Sequence, residues 1–201
     1  MQMKLEIYRK ILHLSSLIFP IFYHFTEKWL MTLIIASFFL FMMCFEYCRF
    51  SSSALAIFIS KIYNIFGLNH IIRNHESKNL TGASYMAIAS LIIVLIFPKI
   101  LFITSFIILA VSDSAAALVG MQYGRIKMFG KSLEGSITFF LSAILCVVFT
   151  SIFYNINSNL FSAMLMACIF TTIAELISKK IFIDDNLIVP LTFSMLTQYY
   201  Y

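Results

Sequence analysis

The sequence predicts an all-α fold: a polytopic integral membrane helical bundle with about seven transmembrane helices and one further interfacial or re-entrant helix. Three observations predict it. The 201 residues are 61% hydrophobic and only 11% charged, against about 25% charged in an average soluble domain. A soluble core of this size cannot hide that much apolar surface, so lipid must cover it. The apolar residues fall in successive runs of helical length. The basic residues divide unequally between the ends of those runs.

The runs place spans near 5–25, 29–47, 81–97, 100–120, 137–154, 160–178 and 186–200. Several are short for a hydrocarbon core of about 30 Å. The first carries Arg9, Lys10 and His13 and no small-residue cleavage site, unlike a signal peptide. The run 54–68 is broken by Ser60, Lys61 and Asn64, and its length suits a helix lying in the interface or a re-entrant piece. If it does not cross, twelve basic residues share one side: Lys4, Arg9, Lys10, Arg49, Lys61, Arg73, Lys78, Arg125, Lys127, Lys131, Lys179 and Lys180. Only Lys28 and Lys99 remain on the other. The rich side is then cytoplasmic, with the N-terminus in and the C-terminus out. The whole chain, 1–201, reads as a single membrane-embedded domain with its polar residues gathered at the cytoplasmic face. Cys44, Cys48, Cys146 and Cys168 lie inside apolar runs and read as packing residues. The formal net charge of +5 suits anionic head groups or substrates. Scattered basic residues with no recognition motif give no nucleic-acid signal. Histidines 24, 70 and 75 read as ordinary loop or interface residues, and the tail "TQYYY" as an aromatic belt.

The polar clusters come next. In "EIYRKILHL", Glu6, Arg9, Lys10 and His13 share one helical face. That face is either a snorkelling, ion-paired anchor or a phosphate-binding corner. Glu46 and Arg49 in "CFEYCRF" stand i, i+3 and allow a salt bridge, but a carboxylate a turn inside the interface is a functional hypothesis. In "ESKNLTGASY", Thr81 with Gly82 reads as a helix start, with Thr81 or Asn79 as its cap and free N–H groups that suit an anion.

The stretch "AVSDSAAALVGMQYGRIKMFGKSLEGSITFF", 110–140, carries the most chemistry. Asp113 ends one span, and its burial is costly unless a cation offsets it. Aspartate with nucleotide phosphates is a usual Mg²⁺ site. Gly120 and Gly124 form a small-xxx-small packing pair. Arg125, Lys127 and Lys131 follow in a loop loosened by Gly124 and Gly130, a set suited to polyphosphate. Ser132 and Glu134 open the next helix, with Gly135 and Ser136 permitting close backbone approach. The combination is a nucleotide-phosphate signal without being a Walker loop, since no GxxxxGK[ST] occurs. In "ELISKKIFIDDNLIVPL", Glu175 and Lys179 read as an i, i+4 pair. Asp184, Asp185 and Asn186 exceed what a helix cap needs, leaving Asp185 as a metal ligand or general base.

Taken together, "RKILH", the Glu46–Arg49 pair, "LTGASY", "SDSAAALVGMQYGR", "KSLEGS" and "DDNLIVPL" resemble the CTP-dependent lipid kinases: dolichol kinase, phytol kinase and the CTP-using diacylglycerol kinase. The resemblance runs from Arg9 to Pro190, and the order and spacing of the last three motifs are its specific part. It implies a membrane enzyme that moves the γ-phosphate of CTP to a lipid alcohol such as diacylglycerol, a polyprenol or a phytol-like isoprenoid. By the same resemblance, Asp113 would hold Mg²⁺, and Lys131 with Ser132 would bind CTP phosphates. Glu134 and Asp185 would complete the metal or base system, with Asn186 in support. Arg9 and His13 would lie near the phosphates or the lipid head. Thr81, Gly82, Gly120, Gly124, Arg125, Lys127 and Gly135 would belong to the phosphate-binding surround, and Lys10, Glu46 and Arg49 to a further polar cluster. Ser15 and Ser16 stand where related sequences often carry a glycine, and the additional N-terminal spans of larger dolichol kinases are absent from these residues. The expected setting is a prokaryotic inner membrane, with CTP, a lipid alcohol and the bilayer as partners and a homodimer compatible with the chain. The chain is similar more distantly to phosphatidate cytidylyltransferase, the alternative activity, although "HGG" is missing. A small ion-coupled transporter is the alternative from another class, and it predicts charge at the midplane and symmetry between halves.

Overall fold

A computed structural model describes residues 2–50 and 79–201, with the side chains from residue 6 onward in the first helix. The 54–68 run, His70, His75, Lys61, Arg73 and Lys78 lie outside the described residues. The described chain is built of helices: α1 (Gln2–Ser15), α2 (Ile18–Phe25), α3 (Lys28–Phe50), α4 (Gly82–Ile96), α5 (Lys99–Gln122), α6 (Leu133–Tyr154), α7 (Ser158–Ile177) and α8 (Asp185–Thr197). A short 3-10 turn, Gln198–Tyr200, follows α8, and a two-stranded hairpin, β1 (Lys127–Met128) and β2 (Lys131–Ser132), joins α5 to α6.

Among the described residues, four helices are long and apolar enough to cross a membrane: α3, α5, α6 and α7, at 23, 24, 22 and 20 residues. At about 1.5 Å per residue each is roughly 30 Å long or more. The helices α4 and α8, at 15 and 13 residues, are shorter than the runs that predicted them. The expected first span is two helices, because Pro20 has no N–H to donate to the Ser16 carbonyl and its ring crowds it. The chain turns there: Phe19 N–H reaches Ser16 O at 3.0 Å, and the hydroxyls of Ser15 and Ser16 bond back to the carbonyls of Leu12 and His13, each at 2.6 Å.

Helix α5 is the centre. Its apolar window is 72% buried, against 17% for α3, and it packs against α1, α2, α4, α6 and α8. Phe102 and Phe106 stack at 4.5 Å within it, and Tyr23 of α2 meets Phe102 edge-on at 5.2 Å. The outer helices expose large apolar side chains such as Leu40, Leu145, Phe149 and Ile152, the surface expected for contact with lipid tails.

The two ends of the bundle differ. At one end, Lys28 donates to the carbonyls of Leu95 (3.1 Å) and Phe97 (3.4 Å), and Lys99 to those of His24 (3.0 Å) and Thr26 (2.9 Å). Each lysine thus satisfies carbonyls left open where α4 and α2 end. The opposite end carries Lys10, Arg49, Lys127, Lys131 and Lys179 together with Glu6, Glu46, Asp113, Glu175 and Asp185.

Candidate functional site

At that end the helices enclose a cavity of about 910 Å³, near the upper end of the range for small-molecule sites. Segments far apart in sequence line it. Helix α1 supplies Glu6 and Lys10, α5 supplies Asp113, and the hairpin supplies Lys127, Lys131 and Ser132; Glu175 comes from α7 and Asp185 from the start of α8.

The hairpin sets the position of Lys131. Phe129 and Gly130 form its two-residue turn, with φ of 51° and 83°; two positive φ values are what a type I′ turn needs. Lys127 therefore pairs with Ser132, and Met128 with Lys131. The loop read as loosened by glycines is a fixed turn instead. Ser132 then caps α6, its hydroxyl accepting from Gly135 N–H at 3.2 Å. Gly120, Gly124 and Gly135 crowd round it: a Cβ on Gly120 would stand 2.6 Å from Ser132 Oγ, and one on Gly124 would stand 2.2 Å from the Gly120 carbonyl. These glycines bring α5 against the start of α6, the packing alternative of the sequence reading.

Lys131 is the hub. Its Nζ lies 2.5 Å from Glu175 Oε1 and 3.2 Å from Asp185 Oδ2. Burial works to lower its pKa, but Asp185 and Glu175 outweigh burial and the net shift is upward. The lysine is held as a cation facing the cavity. Glu175 is 3% exposed and was expected to pair with Lys179. Lys179 instead donates to Gly130 O at 3.0 Å and fastens the 178–184 turn to the hairpin tip.

Asp113, 6% exposed, pairs with Lys10 Nζ, and His13 Nε2 stands 3.6 Å away. The cation expected to offset this buried acid is thus supplied by α1, so burial by itself requires no metal. Arg9 turns to Glu6 at 2.9 Å, and His13 Nε2 lies 3.1 Å from Leu109 O.

Other expected residues stand outside the cavity lining. Glu134 Oε1 accepts from the N–H groups of Arg125 (2.9 Å) and Ile126 (3.2 Å), which anchors the hairpin to α6. Asn186 donates to Asp184 from both its backbone (3.0 Å) and its side chain (2.8 Å), within the cap of α8. The start of α4 already holds an anion: Glu46 Oε1 accepts from Thr81 N–H at 2.7 Å and from Ser84 Oγ at 2.6 Å. Thr81 and Ser84 at this helix start therefore face a carboxylate of the chain itself. Arg49 joins Glu46 at 2.5 Å and also donates to Asn79 O at 2.5 Å.

Among the described residues no group of three or more His, Cys, Asp and Glu is gathered as a metal cage. Asp113, Glu134 and Asp185 thus do not form one together. One or two carboxylates completed by phosphate oxygens is the usual way Mg²⁺ binds at nucleotide sites, and Asp113 and Asp185 on one cavity fit that arrangement.

Glu175 is the site residue the sequence reading missed. An acid one turn from the end of an apolar run was the available signal, hidden by the local partner Lys179. No family profile matches the chain, and no solved structure matches it. It is 35% identical over 137 residues to the uncharacterized protein MJ1137 of Methanocaldococcus jannaschii, covering 66% of this chain and 67% of that one. It is 33% identical over 192 residues to the uncharacterized protein RP860 of Rickettsia prowazekii, covering 94% of this chain and 91% of that one. With that identity over nearly the full length of both, the chain belongs to the family of RP860.

Proposed function

We propose that the protein is a CTP-dependent lipid kinase of the inner membrane, with seven spans and the cavity facing the cytoplasm. It moves the γ-phosphate of CTP to the hydroxyl of a lipid alcohol. The observation that carries the reading is the meeting of Asp113, Lys131 and Asp185 on one cavity at one end of the bundle. They come from the three motifs whose order and spacing resemble the lipid kinases.

Phosphoryl transfer asks mainly for positioning and charge neutralisation. Lys131 and Lys10 bind triphosphate oxygens, each exchanging part of a carboxylate partnership for phosphate. Lys127, at the mouth, draws the anion in. The acceptor hydroxyl attacks the γ-phosphorus, the bond to the β-bridging oxygen breaks, and CDP leaves with its electron pair. Asp185 takes the hydroxyl proton. Mg²⁺, when bound, would supply neutralisation of the phosphate oxygens, and Asp113 would be the carboxylate to hold it while Asp185 serves as the base. The tail of the acceptor remains in lipid, which explains a polar site at the end of an apolar bundle.

The test uses the purified chain in detergent–lipid micelles with Mg²⁺, diacylglycerol and polyprenols. CTP labelled at the γ position should pass label to lipid, and CTP labelled at the α position should not. Label passing from the α position on adding phosphatidate would instead make it a cytidylyltransferase. Asp113→Asn should abolish transfer while the protein still melts cooperatively, and a fully active variant would remove Asp113 from the chemistry.

A further inference from the structure

The cavity rim carries a turn with a left-handed aromatic residue. After α7 the chain makes a further turn through 178–181, and Ile183 N–H closes on Ser178 O at 3.1 Å. That six-to-one bond is one of the two that close a helix C-terminus in a Schellman motif, whose penultimate residue is left-handed and most often glycine. Here it is Phe182, with φ of 56°. A bulky residue in this region costs about 1–3 kcal/mol. Its ring recovers nothing by packing, since Phe182 is 94% exposed. Yet it lines the cavity, beside Ile183 and Asp184.

Its position is firmly set. Lys179 donates to Gly130 O, and Lys180 lies 4.8 Å from the centre of the Phe129 ring, so the turn is fastened to the hairpin on both sides of its tip. The same hairpin carries Lys131. The backbone that carries the ring is thus fixed on the rim of a cavity whose interior offers lysines to phosphate, and the ring itself stands open. An exposed aromatic face beside a phosphate site is the arrangement that binds nucleobases by stacking, at about 1–3 kcal/mol per base.

We propose that Phe182 is the stacking platform for the base of the nucleotide whose phosphates Lys131 and Lys10 bind. This rests on the nucleotide reading given above. Stacking is tolerant of base identity, so Phe182 contributes affinity for a nucleoside triphosphate over a bare polyphosphate, not a choice among bases.

The experiment measures binding of CTP and of inorganic triphosphate, both with Mg²⁺, to the full chain in micelles. Parent, Phe182→Ala, Phe182→Gly and Phe182→Trp are compared. Phe182→Ala should weaken CTP about tenfold or more, and leave triphosphate unchanged. Phe182→Trp should restore CTP. Phe182→Gly relieves the left-handed strain, so it should melt no lower than the parent yet bind CTP as poorly as the alanine variant. Unchanged CTP affinity in the glycine variant overturns the stacking role while the nucleotide site stands. Equal loss of CTP and triphosphate also overturns it, because the ring would then only shape the cavity. A parent chain that binds neither ligand overturns the nucleotide reading and this inference together.

Discussion

Lys131 concentrates the energetics of the site in one side chain. It touches two carboxylates from two helices, and removing one member of a buried ion pair leaves a charge whose desolvation is no longer offset. Lys131→Met should lower the melting temperature by unpairing Glu175 and Asp185 together. Glu175→Gln should cost less, since Asp185 still holds the lysine at 3.2 Å. The double variant should recover part of the loss, with a coupling of about 0.5–3 kcal/mol. Additive melting losses would mean that the pair does not hold the fold. The upward shift of Lys131 fixes the pH dependence. A group whose folded pKa exceeds its unfolded value contributes fully below the unfolded value, about 10.4 for lysine, and loses that contribution above it. The difference in melting between parent and Lys131→Met should therefore persist through neutral pH and fade only in strong alkali. Lys131, Asp113 and Asp185 were legible because each is a charge that a greasy chain does not carry idly. Glu175 was not, because Lys179 four residues on offered a sufficient local partner, and only the fold reveals which lysine it takes.

At the scale of the element, the hairpin and the glycines around Ser132 decide whether the site assembles. A Cβ at Gly124 would meet the Gly120 backbone at 2.2 Å and Ser132 Cβ at 2.7 Å. Neither is the far end of a flexible side chain, so the hairpin has to move. At Gly130 the nearest atom, Lys179 Cδ at 3.3 Å, belongs to a flexible side chain that can shift by a few tenths of an ångström, and the main penalty comes from φ of 83°. That penalty is of order 1–2 kcal/mol for a residue with a Cβ. Gly124→Ala should therefore abolish CTP binding at temperatures where Gly130→Ala still binds it, and isothermal titration of both checks the order. The reverse order would mean that the turn, and not the α5–α6 contact, positions Lys131. The sequence showed α3, α5, α6 and α7 through the length and apolarity of their runs. It hid the hairpin, because strands of two residues carry no alternation to read. Pro20 did mark the break between α1 and α2, but continuous apolarity on both sides of it favoured a single span.

For the whole molecule, the two ends bear on the proposed topology more directly than the span count does. Lys28 and Lys99 are spent on carbonyls at one end, where they close helices. At the other end the basic side chains border a cavity or fasten its walls. An end rich in lysine and arginine stays cytoplasmic during insertion. The hairpin tip should then face the cytoplasm, where CTP is available, and Met128, 36% exposed, is a reporter that lines no part of the cavity. With Cys44, Cys48, Cys146 and Cys168 replaced, Met128→Cys should react with an impermeant thiol reagent in inside-out vesicles and stay unlabelled in intact cells. A cysteine at Asn155, between α6 and α7 at the opposite end, should show the reverse. Labelling of position 128 from outside would place the cavity away from the proposed nucleotide, and the kinase reading would fail at the level of topology even with every side chain in place.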